Sequence, residues 1–207
     1  YVNLTNLVIG KKYSSADLAL YNRGFNLSQF PSTNLSDVLN RVIYPVIVRV
    51  QDDIEALRKE YLKYLHLSYY IILPLMGFLL VLARPLIDVL LTEKWLDAVP
   101  YLQIFCINFM FYPLQLQSGN PIAALGHSGI LLKAQIVKRI VSFVILIITL
   151  TISIPAVCWG ILASSAIEAL INIYICRKEI KIGFRKHLKT LLDVILIVGI
   201  ICVIVFF

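Results

Sequence analysis

Charge is scarce in this sequence. Asp, Glu, Lys and Arg make up 15% of its 207 residues, against about 25% in an ordinary soluble domain. Apolar residues fill 59% and the mean hydropathy is +0.84. That balance excludes a cytosolic enzyme of ordinary composition and an intrinsically disordered chain. Cysteine is also sparse: Cys106, Cys158, Cys176 and Cys202 each lie in or beside an apolar run, with no metal-knuckle spacing. They read as small buried hydrophobes, not as a disulfide framework. His66, His127 and His187 are scattered, and there is no Ser-His-Asp spacing, phosphate-cradling glycine loop or CxxC. Nothing makes a positive case for an enzyme, a cofactor or a metal. The chain opens on Tyr1 without a basic, then apolar, leader, and ends inside the apolar run Val203–Phe207. It therefore reads as part of a larger protein.

What the sequence has is long apolar runs. A helix crossing the hydrocarbon core needs about 20 residues. Leu65 to Ala83 offers 19 without a charge, and Ala98 to Leu132 offers 35. Gly119-Asn120-Pro121 interrupts the second, leaving a span to about Gln117 and then an irregular re-entry. Ile140 to Cys176 is 37 residues with one charge, Glu168, and Ser153-Ile154-Pro155 divides it into two spans. The expected spans are a partial one at 1–9, then 18–48, 65–83, 98–117, 134–153, 156–176 and 189–207. Residues 52–64 read as a short amphipathic helix at the cytoplasmic surface, with Asp52 and Glu55 as a capping box and Glu55–Lys59 as an i,i+4 pair. The fold class is all-α: a polytopic transmembrane helix bundle forming one transmembrane domain.

The net charge of +7 invites a nucleic-acid reading, but the positions of the cations answer it. One set of alternate connections holds fourteen: Arg41, Arg49, Arg58, Lys59 and Lys63; Lys133, Lys138 and Arg139; and six between Arg177 and Lys189. The other set holds five: Lys11, Lys12, Arg23, Arg84 and Lys94. The larger set is assigned to the cytoplasm by the positive-inside bias. The basic excess is thus a topology signal, with no nucleic-acid partner.

The strongest functional signal is the helix over 18–48. Arg23, Asn26, Phe30, Thr33, Asn34, Asp37, Arg41 and Tyr44 recur at steps of three and four, opposite an apolar face of Phe25, Leu35, Leu39, Val42, Ile43 and Val46. Ionisable groups at membrane depth are costly and mark a cavity or a partner. This face is expected to line a water-filled cavity, with Asp37 and Arg41 spaced to pair. A second stripe, Tyr101, Phe105, Asn108, Tyr112 and Gln115, carries aromatics and amides that suit sugar contact or helix packing. A third pairs Glu168 with Asn172 one turn on, with Gly160 and Ser164 at small-xxx-small spacing. An interhelical hydrogen bond is the simpler role for Glu168, and ion coupling the other.

Pro31-Ser32-Thr33-Asn34, Arg41-Val42-Ile43-Tyr44-Pro45, Gln51-Asp52-Asp53, Glu93 through Leu102 and Ala124-Leu125-Gly126-His127-Ser128 stand in this order. Together they resemble the Wzx-like polysaccharide flippases of the multidrug/oligosaccharidyl-lipid/polysaccharide exporter superfamily. His127 stands where Arg or Lys is common in that family, and Gly129 where Asp is common. The resemblance covers nearly the whole chain. It implies a MATE-like architecture of two six-helix lobes around a central cavity, of which this chain is similar to the C-terminal lobe. It implies a multi-pass protein of the bacterial inner membrane that carries an undecaprenyl-pyrophosphate-linked oligosaccharide by alternating access. Its partners would be the bilayer, that lipid-linked oligosaccharide, an N-terminal lobe, and the polymerase and glycosyltransferases of the same assembly. From charge and position alone, Arg23 and Arg41 are candidate contacts for the pyrophosphate. The remaining cavity candidates are Asn26, Thr33, Asn34, Asp37, Tyr112 and Gln115, with Glu168 and Asn172 for coupling or packing. Two alternatives stay open: a drug/cation antiporter of the same superfamily, which an acidic cavity would favour, and a non-transporting membrane scaffold.

Overall fold

The computed structural model describes residues 2–194. Among these residues every regular element is a helix. In chain order they are α1 (Val2–Lys12), α2 (Ser15–Arg49), α3 (Ile54–Val81), α4 (Ala83–Leu91), a 3₁₀ turn (Glu93–Ala98), α5 (Val99–Phe109), α6 (Tyr112–Gln117), α7 (Gly119–Ala124), α8 (Ser128–Leu150) and α9 (Ile154–Ile180). A further helix, α10, covers residues 184–194. Most of the expected span at 189–207, and Cys202 with it, lies outside the described residues.

Helices α3 and α9 are long and apolar enough to cross a membrane. The outer side of α8 adds a row of exposed apolar side chains, among them Leu132, Ile136, Ile140, Phe143, Ile147 and Ile148. A contiguous surface of that kind suits hydrocarbon rather than water.

Helix starts follow their capping chemistry. Ser14 begins α2 with a capping box, its hydroxyl accepting from the Asp17 N–H while the Asp17 carboxylate accepts from the Ser14 N–H. Asp53, not Asp52, caps α3, accepting from Glu55 N–H at 2.9 Å and Ala56 N–H at 3.1 Å. Glu55 pairs with Arg58 instead of Lys59. The amphipathic stretch and the following apolar run are one unbroken helix, because nothing between Leu62 and Ser68 breaks the ladder. Two helix ends are closed by side-chain donors from other parts of the chain. Lys12 Nζ and Tyr13 OH both donate to the Leu150 carbonyl at the end of α8, at 2.7 and 2.9 Å. Arg58 Nε donates to the Ile180 carbonyl at the end of α9, at 2.7 Å.

Two local features place the site. First, α2 buries small residues at steps of four, Gly24, Ser28, Ser32 and Ser36, and meets α5 at Gly24 and Ser32, with Tyr21 and Phe25 against Phe105, while Ile43 and Ile47 join a core with Leu57 and Tyr61 of α3. The apolar face expected from the sequence is only partly the packed one: Leu35 and Val42 are exposed. Small residues allow the backbones to approach, and in lipid the larger apolar side chains are free to face outward. Second, Pro113 has no N–H to offer the Phe109 carbonyl, so the expected 98–117 helix breaks at Met110-Phe111 into α5 and α6. Ser32 Oγ donates to that carbonyl at 3.0 Å, replacing the missing bond from across the bundle. The segment after Gln117 is not irregular, since α7 resumes helix at Gly119.

Candidate functional site: a polar cavity inside the bundle

Helices α2, α5, α6, α8 and α9 enclose a cavity of about 250 Å³. Tyr21, Phe25, Gln29 and Thr33, four residues apart, give it one wall from α2. The α5–α6 break turns Asn108, Phe109, Tyr112 and Gln115 toward it. Arg139 and Ser142 come from α8, and Ile161, Ser164, Ser165 and Glu168 from α9. Thr5 of α1 completes the lining.

The aromatic floor is held rigidly. Phe25 meets Phe105 edge-on at 5.1 Å and Phe109 at 5.5 Å, and Tyr21 meets Phe105 at 5.4 Å. The far wall is an antiparallel α8–α9 hairpin with polar rungs. Ser142 Oγ donates to Glu168 Oε1 at 3.0 Å, and one turn away Lys138 Nζ donates to Asn172 Oδ1. Further along, Gly160 admits Thr149: a Cβ there would stand 2.7 Å from Thr149 Cγ2. At the other end His127 Nδ1 lies 2.7 Å from Glu179 Oε2.

One group in the lining lacks a partner. Asn108 is 8% exposed, and its Oδ1 makes no hydrogen bond. A buried acceptor left unsatisfied costs about 1–3 kcal/mol. A ligand hydroxyl entering the cavity would remove that cost. Around it stand aromatic faces, hydroxyls and amides, and one charge of each sign, Arg139 and Glu168. The arrangement suits a polyol, which needs many donors and acceptors and a flat apolar surface.

The candidate residues separate into three groups. Thr33, Tyr112, Gln115 and Glu168 line the cavity together, with Asn172 behind Glu168 in the α8–α9 wall. Arg23, Asn26, Asn34, Asp37 and Arg41 are on the exposed side of α2 and do not line it. Asp37 and Arg41 do not pair as their spacing promised. Asp37 Oδ1 instead accepts from Tyr112 OH at 3.4 Å, so Asp37 sits at the lip of the cavity. Arg23 rests over the Trp95 ring, 4.9 Å from its centroid.

Two cations change role. Lys138 and Arg139, assigned above to a cytoplasmic connection, are inside α8; Lys138 is 5% exposed and Arg139 lines the cavity. Removing both leaves twelve cations against five, so the charge bias keeps its sign. Sequence reasoning also left out Gln29, Ser142 and Ser165, and carried Asn108 only as part of a stripe. Arg139 and Ser142 fall three residues apart in a helix otherwise flanked by Ile and Val, which is the one local signal of an inward polar face.

Comparisons with known proteins point to membrane and polysaccharide-biosynthesis proteins. A profile of the family described as "Polysaccharide biosynthesis protein" matches residues 1–100. The chain is 27% identical to a Klebsiella pneumoniae protein described as "Uncharacterized membrane protein in cps region", over 87% of this chain and 38% of that one. It is 29% identical to the Escherichia coli "Lipopolysaccharide biosynthesis protein WzxC", over 59% of this chain and 24% of that one. It is 22% identical to the Bacillus subtilis "Teichuronic acid biosynthesis protein TuaB", over 99% of this chain and 42% of that one. The chain thus spans between 24% and 42% of the length of these relatives. No solved structure matches it. The profile match over residues 1–100 and these relatives make the chain similar to membrane proteins of surface-polysaccharide biosynthesis.

Proposed function

We propose that this chain is one lobe of a flippase that moves an undecaprenyl-pyrophosphate-linked oligosaccharide across the bacterial inner membrane by alternating access. The exposed face of α2 would meet a second lobe, and Arg23 and Arg41 would mark two ends of the route. They lie 18 residues apart on one helix, roughly 27 Å along its axis, so one phosphate cannot touch both. The intralobe cavity would receive a sugar ring of the head group as it passes. At about 250 Å³ it is below the roughly 300 Å³ of a pocket for a drug-sized ligand, so it suits one ring and not a whole oligosaccharide.

The observation that carries this reading is the unpartnered, buried Asn108 acceptor within a lining of aromatics, amides and hydroxyls. Asn108→Leu removes the acceptor while keeping the volume, and no internal hydrogen bond of Oδ1 is lost with it. In the intact protein it is expected to lower surface glycan at matched membrane abundance. Glu168→Gln retains a carbonyl acceptor for Ser142 and is expected to export normally, as a packing role requires. Full export by Asn108→Leu refutes the cavity's part in transport. Loss of export by Glu168→Gln moves Glu168 from packing to coupling.

A further inference from the structure

Two cavities of opposite character meet at Phe184. The turn that joins them is fixed by the end of α9. Lys181 takes a left-handed conformation, φ 53°, and the Ile182 N–H returns to the Cys176 carbonyl at 3.4 Å. This closure sends the chain back into α10. The first cavity, about 460 Å³, is lined by Arg177, Gly183, Phe184, Arg185 and Lys186, three cations and no acid. Glu179, the nearest acid in sequence, is already held by His127. The second cavity, about 250 Å³, is a slot between α3, α6, α9 and α10, walled by Tyr69, Leu114, Ala166, Leu170, Phe184 and Leu188. His187 also borders it, but both ring nitrogens are engaged, Nε2 with Tyr61 OH at 3.0 Å and Nδ1 with the Gly183 carbonyl at 3.2 Å. The slot therefore offers hydrocarbon contact, and the adjoining pocket offers only positive charge.

We propose that these two cavities form one binding site for an anionic phospholipid, with its phosphate and headgroup among Arg177, Arg185 and Lys186 and an acyl chain in the apolar slot. Phe184, 48% exposed and common to both linings, would lie at the boundary between head and chain. Charge complementarity selects the occupant. A neutral lipid leaves three cations uncompensated, and a free phosphate leaves the slot empty. At about 250 Å³ the slot holds less than one turn of a peptide helix, which is about 10 Å across and 5.4 Å in pitch. Basic pockets beside membrane helices take such headgroups by the same electrostatics, each cation contributing roughly fivefold in affinity. The site does not depend on what the protein transports. It would fasten the α9–α10 corner to anionic lipid while the rest of the lobe moves.

The test uses the full protein in detergent, with thermal unfolding followed as lipid is titrated in. Dioleoylphosphatidylglycerol is expected to raise the unfolding temperature saturably, and dioleoylphosphatidylcholine, with the same chains, is not. Arg185→Gln with Lys186→Gln is expected to weaken the phosphatidylglycerol response roughly thirtyfold, by loss of two cations. Ala166→Phe, which fills the slot and leaves the charges, is expected to weaken it as well. Lys94→Gln is expected to leave it unchanged. Equal responses to the two lipids, or a phosphatidylglycerol response that survives the double charge variant, overturn the proposal. A full response to inorganic pyrophosphate alone overturns it too, since that makes the basic cavity a phosphate site without a tail.

Discussion

Replacing Gly24 with alanine tests the close approach of α2 and α5 on which the cavity depends. A Cβ at Gly24 would stand 2.7 Å from Leu102 N, 2.8 Å from Tyr101 Cβ and 3.0 Å from Tyr101 C. Ordinary carbon contacts lie at about 3.5–4.0 Å, so one added methyl must push the helices apart by close to an ångström. Two of the three obstructing atoms are backbone in the first turn of α5 and cannot rotate away. Overpacking of this kind costs about 1–3 kcal/mol. Because the obstruction is backbone, the cost lies at the upper end, about 2–3 kcal/mol, and alanine recovers up to about 1 kcal/mol of helix propensity over glycine, leaving a net loss of about 1–2 kcal/mol. For a chain of this size that lowers the unfolding temperature by about 2–8 °C. The assay is tryptophan-monitored unfolding in detergent, with Trp95 close by as reporter. Gly129→Ala is the internal control, because nothing stands within 4 Å of its Cβ position in α8, and it should match or exceed the parent. If Gly24→Ala unfolds at or above the parent temperature, the α2–α5 packing described above is wrong.

Three further predictions follow from other contacts. Gly160→Ala meets a side chain instead of backbone, Thr149 Cγ2 at 2.7 Å and Oγ1 at 2.9 Å, so it should destabilise and adding Thr149→Ala should restore most of the loss; two independent, additive losses in unfolding temperature would contradict this. Burial holds the His187 pKa below its ordinary 6.5, partly offset by its bond to the Gly183 carbonyl. The unfolded chain then takes up the proton first, so this stability is whole above about pH 6.5 and declines as pH falls below it. His187→Gln should remove that part of the pH slope, measured as the difference in unfolding temperature between pH 7.5 and 5.5, and an unchanged slope would exclude His187 as its source. Arg41 lies on the exposed side of α2, where Lys would supply charge without the planar fork. Arg41→Ala should abolish surface glycan at matched protein level and Arg41→Lys should restore only part of it, while full restoration by Lys would mean that charge alone suffices.

The sequence by itself determined the class of this protein, and for a physical reason. Scarce charge and apolar runs near 20 residues leave helices as the economical way to satisfy backbone groups in lipid. Local chemistry was legible as well. Ser153 accepts from the Ala156 N–H at 3.2 Å and starts α9 at the turn before Pro155, and Gly160 marks a close approach. The polar stripe of α2 was visible from its period, and Tyr112, Gln115 and Thr33 were picked out before they met in one cavity.

Tertiary structure decided which partners these faces found. Period gives a face but not what it faces, so Asp37 was matched to Arg41 on its own helix, whereas it receives the Tyr112 hydroxyl from 75 residues away. Lys138 and Arg139 look like loop charges until α8 is seen to start at Ser128, burying Lys138 and bringing Arg139, still exposed, to the edge of the cavity. Ser32 looks like one more small polar residue in a helix. Its use becomes plain only beside Phe109, whose carbonyl Pro113 cannot bond. Each of these roles depends on an atom supplied by a distant part of the chain, and helical spacing along one segment holds no information about it.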